Sequence, residues 1–326
     1  METLEWIEKL KEEVKEGKAI SYEEANELYE APLEPLCQAA DELRRHFQAD
    51  RFDMCTIVNG KSGKCSENCK YCAQSSWYHT GAEEYPLLDK EEVVRQAVEC
   101  EKKGVLRYSI VTSGKRLNDR EVAYMCDVVR EIKERTSLSV CVSFGLLGEE
   151  AFRSLKQAGV SRVHNNLETS RKNFPHVCTT HTFDDKVEAI RAAQRAGLTV
   201  CSGGIMGLGE TKEDRIDMAM TLRELGITSI PVNMLNPIPG TPYEGNTRLT
   251  VEDMRRIVAV FRFILPKAAI RLAGGRGLLE DKGRGCFLSG ANAVISGDML
   301  TTAGYTVDSD MEMIHEIGYE VTYIEG

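Results

Sequence analysis

The stretch Cys65-Ser66-Glu67-Asn68-Cys69-Lys70-Tyr71-Cys72 puts three thiols within eight residues, at Cys-x3-Cys-x2-Cys spacing. A disulfide framework does not suit it, because a chain of 326 residues can bury a large core and nothing in it reads as secreted. Structural zinc closes with four ligands, commonly two Cys-x2-Cys or Cys/His pairs, and no matching second pair follows within finger distance. Three thiolates on one short loop suit three irons of a [4Fe–4S] cube and leave the fourth iron open to an exogenous ligand. An open iron implies chemistry at the cluster.

Working outward, the loop follows a β-rich run near Asp53–Val58, the first of eight. The others lie near Leu106–Thr112, Ser139–Phe144, Ser161–Leu167, Leu198–Ile205, Ser229–Leu235, Ala268–Ala273 and Asn292–Ser296. Amphipathic stretches separate them, and Gly159, Gly197 and Gly226 end three of these as helix C-terminal glycines. Strands that alternate with helices imply a parallel sheet, and eight such units predict an α/β fold of the (β/α)8, TIM-barrel type. Residues 1–48 read as helices, with Leu4, Ile7, Leu10 and Val14 at helical spacing and a Ser21/Glu24 capping box. They are expected to form an N-terminal helical cap on a barrel spanning 49–326, with no linker between the two.

Net charge is −10, which argues against sequence-independent binding to nucleic acid. No apolar run approaches a membrane span, and the first residues lack the pattern of a signal peptide, so a soluble, cytoplasmic protein is expected. Eleven cysteines then read as reduced thiols and metal ligands.

In a barrel of this kind, chemistry sits at strand C-termini and the loops after them. Alternation along the fourth run puts His164, Asn166 and Glu168 on one face, where three polar groups are costly unless paired or bound to something. The fifth run carries Cys201 and then Gly203-Gly204-Ile205, glycines that would let a ligand approach the backbone. Asn233 in the sixth is either a structural amide or an anchor for a urea or amide ligand. Cys141 and Cys201 are single thiols at inward-type positions, unremarkable alone, but Arg271 on the seventh run needs a negative partner inside the barrel.

The thiol loop, with Tyr71 before its last thiol, resembles that of the radical S-adenosylmethionine (SAM) superfamily. The run from Gly203 to Glu210 fits the Gly-x-Ile-x-Gly-x-x-Glu pattern that packs beside the cofactor's adenine there. Further segments make the chain similar to the biotin synthase family from about Tyr22 to Gly318. They are Asn166-Leu167-Glu168-Thr169-Ser170, Val200-Cys201-Ser202-Gly203-Gly204-Ile205, Val232-Asn233-Met234-Leu235, Arg271-Leu272-Ala273-Gly274-Gly275-Arg276 and Gly290-Ala291-Asn292.

The resemblance implies a SAM-binding [4Fe–4S] cluster on Cys65, Cys69 and Cys72 and a deeper auxiliary iron–sulfur cluster on Cys141, Cys201 and Arg271. Dethiobiotin would lie between them and receive sulfur from the second. By the same correspondence, Glu168 meets the SAM ribose, Lys186 its methionine carboxylate, and Tyr71, Gly203, Gly204 and Ile205 complete the cofactor site. Asn166, Asn233 and Thr301 correspond to substrate contacts. One position departs from the pattern, since Ser109 stands where relatives place a cluster cysteine. Cys55, on the neighbouring strand, is the expected substitute, with Cys178 and Cys286 weaker candidates. The resemblance also implies an electron donor such as flavodoxin or ferredoxin and a sulfide-supply system, and it leaves a homodimer open. The rivals are another radical SAM barrel, of the hydrogenase-maturation or methylornithine-synthase type, and a non-catalytic zinc-binding protein.

Overall fold

Strand β1 (Arg51–Lys61) is the seam on which the sheet closes. It pairs in parallel with β2 (Arg107–Thr112) on one side and with β9 (Ala293–Ser296) on the other. Between these run β3 (Ser139–Ser143), β4 (Val160–His164), β5 (Thr199–Cys201), β6 (Gly204–Met206), β7 (Ser229–Met234) and β8 (Ala269–Leu272), every neighbouring pair parallel. Strands β5 and β6 are two halves of one barrel position, interrupted at Ser202-Gly203, so the closed barrel has the eight positions of a TIM-type (β/α)8 fold. This computed structural model describes residues 2–324.

Helices α4 (Lys90–Lys102), α5 (Asp119–Arg135), α6 (Glu149–Ala158), α8 (Phe183–Arg195), α9 (Lys212–Glu224) and α10 (Val251–Ile264) return the chain between strands, and a single turn, α7 (Phe174–Val177), precedes α8. Their starts are written into the sequence: Asn118/Glu121, Thr182/Asp185, Thr211/Asp214 and Thr250/Asp253 each form a reciprocal capping box that satisfies two otherwise orphaned donors. The expected box at Ser21/Glu24 opens α2 (Tyr22–Glu30). Helix α2 packs on α9 and α10, α3 (Leu33–Gln48) on α10, and α1 (Glu2–Lys15) on α3, so the N-terminal helices share one hydrophobic core with the barrel. Between β8 and β9, α11 (Arg284–Phe287) packs on α10; after β9 come α12 (Val307–Glu316) and β10 (Glu320–Val321), which packs against α12 and joins the start of β1.

Two local readings of the sequence are corrected. Strand β4 ends at His164, so Asn166 and Glu168 reach the interior from the loop after it and not by strand alternation. Glu168 adopts a left-handed φ of 72°, which turns the chain back on itself. The glycines that follow serve this turn. A Cβ on Gly204 would lie 2.5 Å from the Glu168 carbonyl oxygen and 2.4 Å from Met218 Sδ, and one on Gly203 would lie 1.9 Å from the Pro231 oxygen. The pair is needed so that backbones can approach each other, and of Gly203-Gly204-Ile205 it is Ile205 that lines the central cavity.

Candidate active site

The barrel encloses a cavity of about 380 Å³ that opens at the strand C-termini and runs down to the strand middles. Its floor is built by inward-facing strand residues. Cys55 on β1, Cys141 on β3 and Cys201 on β5 all line it, as does Ser109 on β2. Among them stand Arg107, Arg162 and Arg271, each at most 6% exposed. Asp53 is fully buried and takes two of the three: Arg107 Nε donates to its Oδ2 at 2.9 Å and Arg271 Nη2 to its Oδ1 at 2.6 Å. Arg162 reaches the hydroxyls of Thr199 and Ser229, each at 3.4 Å. Burial alone would raise the Asp53 carboxyl; Arg271 and Arg107 outweigh it and hold the group below the usual carboxylate range.

Three guanidiniums facing one carboxylate leave buried positive charge that needs an anionic guest or deprotonated thiols. The thiols respond unequally. Burial pushes Cys55 and Cys141 up, Cys55 further through Cys141 nearby. At Cys201, burial is outweighed by hydrogen bonding to His164, with Arg271 and Arg162 adding to it, and the thiol is drawn down to about 6. A thiolate-ligated iron–sulfur cluster fits this floor in both charge and ligand type.

The register sets the relation between Ser109 and Cys55. Ser109 pairs across to Ile57 on β1 and to Cys141 on β3, while Cys55 pairs to Arg107 and to Ile295. Cys55 therefore sits one inward step nearer the strand N-termini than Ser109, beside the Arg107–Asp53 pair. Of the two weaker candidates, Cys286 lies on α11 near Cys37, outside the barrel, and Cys178 lies at the mouth, so neither reaches the floor. Arg107, Arg162 and Asp53 were not anticipated from the sequence, although charged residues at inward strand positions carry the same signal that singled out Arg271.

The mouth is built from loops. Cys65, Cys69 and Cys72 are free thiols on the segment after β1, and Cys65 and Cys72 line the cavity. The segment folds on itself through Cys65 N–H to Gln74 O, Cys72 N–H to Cys69 O and Ser75 Oγ to Glu67 O. It is also tied to the stretch after α7, where Asn68 Nδ2 donates to Thr179 Oγ1 at 2.7 Å and Lys70 N–H to Val177 O at 3.0 Å. Tyr71 lies against Glu168, and burial followed by that carboxylate pushes its phenol well up. Lys186 and Asn165 line the same region, 3.4 Å apart, and Asn165 Nδ2 is a buried donor with no protein partner. Three thiols on one short loop with an unspent donor beside it fit a cluster whose open iron holds a small polar ligand.

Between floor and mouth, Asn166 and Asn233 face the cavity with both ends of each amide half committed. Asn166 Oδ1 accepts from Gly203 N–H and its Nδ2 donates to Glu168; Asn233 Nδ2 donates to Gly204 O and its Oδ1 accepts from Gly274 N–H. Each keeps one hydrogen and one lone pair for a guest. Thr301 lies at the rim with Met299, Leu300 and Thr302. The sixteen residues assigned to clusters, cofactor and substrate thus fall in or beside one cavity, with Gly203 and Gly204 supporting its wall and Cys69 behind the front of the loop.

Residues 61–222 match the model of the Radical SAM superfamily, and residues 231–320 match the Biotin and Thiamin Synthesis associated domain. The chain is 59% identical to the biotin synthase of Brachyspira hyodysenteriae over 97% of its length and 95% of the relative's. It is 59% identical to that of Akkermansia muciniphila, over 94% and 95%, and 54% identical to biotin synthase 2 of Corynebacterium diphtheriae, over 98% and 97%. Among solved structures, methylornithine synthase superposes with a TM-score of 0.84 at 20% identity, covering 96% of this chain and 97% of that one. The FeFe-hydrogenase maturase of Carboxydothermus hydrogenoformans gives 0.82 at 17%, covering 98% and 80%. These two show the shared barrel alone, whereas the full-length likeness in sequence is specific: the chain belongs to the biotin synthase family of radical SAM enzymes.

Proposed function

We propose that the chain inserts sulfur into dethiobiotin to form biotin, using two iron–sulfur sites at opposite ends of one cavity. The observation that carries this is the pairing of three thiols at the mouth with three more among arginines at the floor. When bound, a [4Fe–4S] cluster with SAM supplies a one-electron cleavage that yields an alkyl radical, and an auxiliary cluster supplies the sulfur.

The residues of the chain hold, orient and exclude. Cys65, Cys69 and Cys72 hold the first cluster, Glu168 the SAM ribose, and Lys186 the methionine carboxylate, with Tyr71 and Ile205 against the cofactor and Gly203-Gly204 behind it. Asn166 and Asn233 take the two edges of the substrate's cyclic urea with the hydrogen and lone pair each has left, and Thr301 meets its tail. Cys141, Cys201 and Arg271 ligate the auxiliary cluster, and Cys55 takes over the ligand position left by Ser109. Arg107 and Arg162 neutralise its charge. Apolar walls such as Ile57, Val111 and Ile295 keep water and stray hydrogen donors from a reactive carbon. An external one-electron carrier such as flavodoxin or ferredoxin, a sulfide supply and a cytoplasmic setting complete the reading.

Anaerobic incubation of the reconstituted chain with dethiobiotin, SAM and a reductant, followed by mass spectrometry, tests it. Biotin and 5′-deoxyadenosine are expected together. Deoxyadenosine without biotin, from a chain holding one cubane, overturns the sulfur-transfer reading in favour of a methylornithine-synthase type of chemistry.

A further inference from the structure

The floor of the cavity has an underside that the scheme above leaves unused. Inward positions of such a barrel are ordinarily filled by branched apolar side chains. Here the layer at the strand N-termini carries the Asp53–Arg107 pair and the hydroxyls of Ser139, Thr199 and Ser229, with Ala269 and Ala293 as small apolar members. Arg162 Nε donates to Thr199 Oγ1 at 3.4 Å, and Thr199 itself is exposed at the barrel end. Polar groups therefore run from the outside up to the floor.

The segment after β10 closes this end. Strand β10 is two residues long, and past it Thr322 N–H donates to Phe52 O at 2.9 Å. The Ile324 side chain, 2% exposed, packs with Ala269 and Ala293 in a small cluster separate from the main core. Its N–H donates to Asp53 Oδ2 at 3.2 Å, and its carbonyl accepts from Arg107 Nη2 at 3.4 Å. The Tyr323 ring lies 4.8 Å from the Arg107 guanidinium and is itself 37% exposed. Arg107 lines the cavity, so at this point one guanidinium and one ring stand between the cavity and solvent. Local opening draws only on the bonds and apolar area of the segment that moves, and both are small here.

We infer that the strand N-terminal end of the barrel is a second entrance, stoppered by Tyr323 and Ile324, through which hydrosulfide, a small sulfur anion, reaches the auxiliary site. The inference rests on the sulfur-transfer reading above. On that reading the floor gives up sulfur at each insertion, while its mouth side is taken by SAM and dethiobiotin. A replacement that enters from below does not wait for them to leave. Arg107, Arg162 and Arg271 against one carboxylate draw an anion to this end, and the hydroxyls of Ser139, Thr199 and Ser229 give it a polar lining.

Two measurements test it, with the full chain as parent and Tyr323→Ala and a chain ending at Thr322 as variants. In the first, the cluster-free chains are alkylated with iodoacetate and mapped by mass spectrometry. Loss of the stopper is expected to speed labelling of Cys55, Cys141 and Cys201 about tenfold and to leave Cys65 and Cys72 at the mouth within about twofold of the parent. Floor thiols labelled at the parent's rate overturn the inference. Labelling of Cys126, which is buried on α5 outside the barrel, marks a shortened chain that has not folded, and Tyr323→Ala then decides by the same criterion. In the second, the reconstituted parent completes one turnover, is desalted and recharged with SAM and dethiobiotin, and only then receives isotopically heavy hydrosulfide before reduction. Heavy biotin is expected from this order of addition. Heavy biotin solely when hydrosulfide precedes SAM and dethiobiotin, or from neither order, overturns the inference. Failure of the sulfur-transfer reading itself shows earlier, as a first turnover without biotin.

Discussion

The floor and the mouth of this cavity are built on opposite plans. At the floor each functional side chain stands on a strand whose ladder fixes its height and direction, and a buried carboxylate pins two guanidiniums. At the mouth the functional residues ride on loops, and their places depend on side-chain bonds such as Asn68 to Thr179 and on close backbone approach at Gly203 and Gly204. A strand-mounted site tolerates little change in ligand position, since residues two apart on a strand differ by a full inward step. A loop-mounted site tolerates substitution one tie at a time. The exchange of ligand proposed between Ser109 and Cys55 is informative for that reason: it would move a thiol to the next strand and one step down.

The sharpest way to break the comparison is to remove that thiol. Cys55→Ala is expected to abolish biotin formation and the iron and sulfide of the auxiliary site, while the mouth cluster and SAM cleavage persist. Ser109→Ala is expected to leave both clusters in place. Iron and sulfide counts with a deoxyadenosine assay check this, and an intact auxiliary cluster in Cys55→Ala would mean another group replaces Ser109.

Next in size is the charge balance of the floor. Asp53→Asn removes the carboxylate shared by Arg107 and Arg271 and leaves buried guanidiniums unpaired, an expected loss of about 3–5 kcal/mol in the cluster-free chain by denaturant unfolding. The sign of the pH effect follows from the depressed carboxyl. Its contribution is fully present above the ordinary carboxylate range and is lost as pH falls through the lower folded value, so the parent should lose stability on acidification more steeply than the Asn variant.

Gly203→Ala probes the seam between the two plans. Its Cβ would meet the Pro231 carbonyl oxygen, a backbone atom that cannot swing away, at a cost of about 1–3 kcal/mol. Because Glu168 N–H donates to Gly203 O, the shift should pass to Glu168 and raise the KM for SAM more than it lowers kcat.

How much was legible in the sequence follows the same division. Strand alternation with helical spacers predicts the barrel, and inward parity on strands correctly placed Cys141, Cys201, Asn233 and Arg271 in the cavity. The rule stopped working where the strand stopped: Asn166 and Glu168 were assigned to β4 by parity, but the chain leaves the sheet at His164 and a left-handed Glu168 turns it. The role of the glycines was misjudged for a related reason, since what they make room for is the backbone of a distant segment, and no local pattern reports that. Asp53, Arg107 and Arg162 were within reach of the parity rule. Glu67 and His181 were not, because only the fold brings residues 67 and 181 within hydrogen-bonding distance.

The smallest expected effect comes from loosening one tether at the mouth. Asn68→Ala removes the bonds to Thr179 and Thr180 on a partly exposed side chain, an expected cost of about 1 kcal/mol. The loop keeps Lys70 N–H to Val177 O and Ser75 Oγ to Glu67 O, so global stability should barely move. Hydrogen exchange should quicken locally, over residues 65–78 and 177–181, because local opening draws on those few bonds.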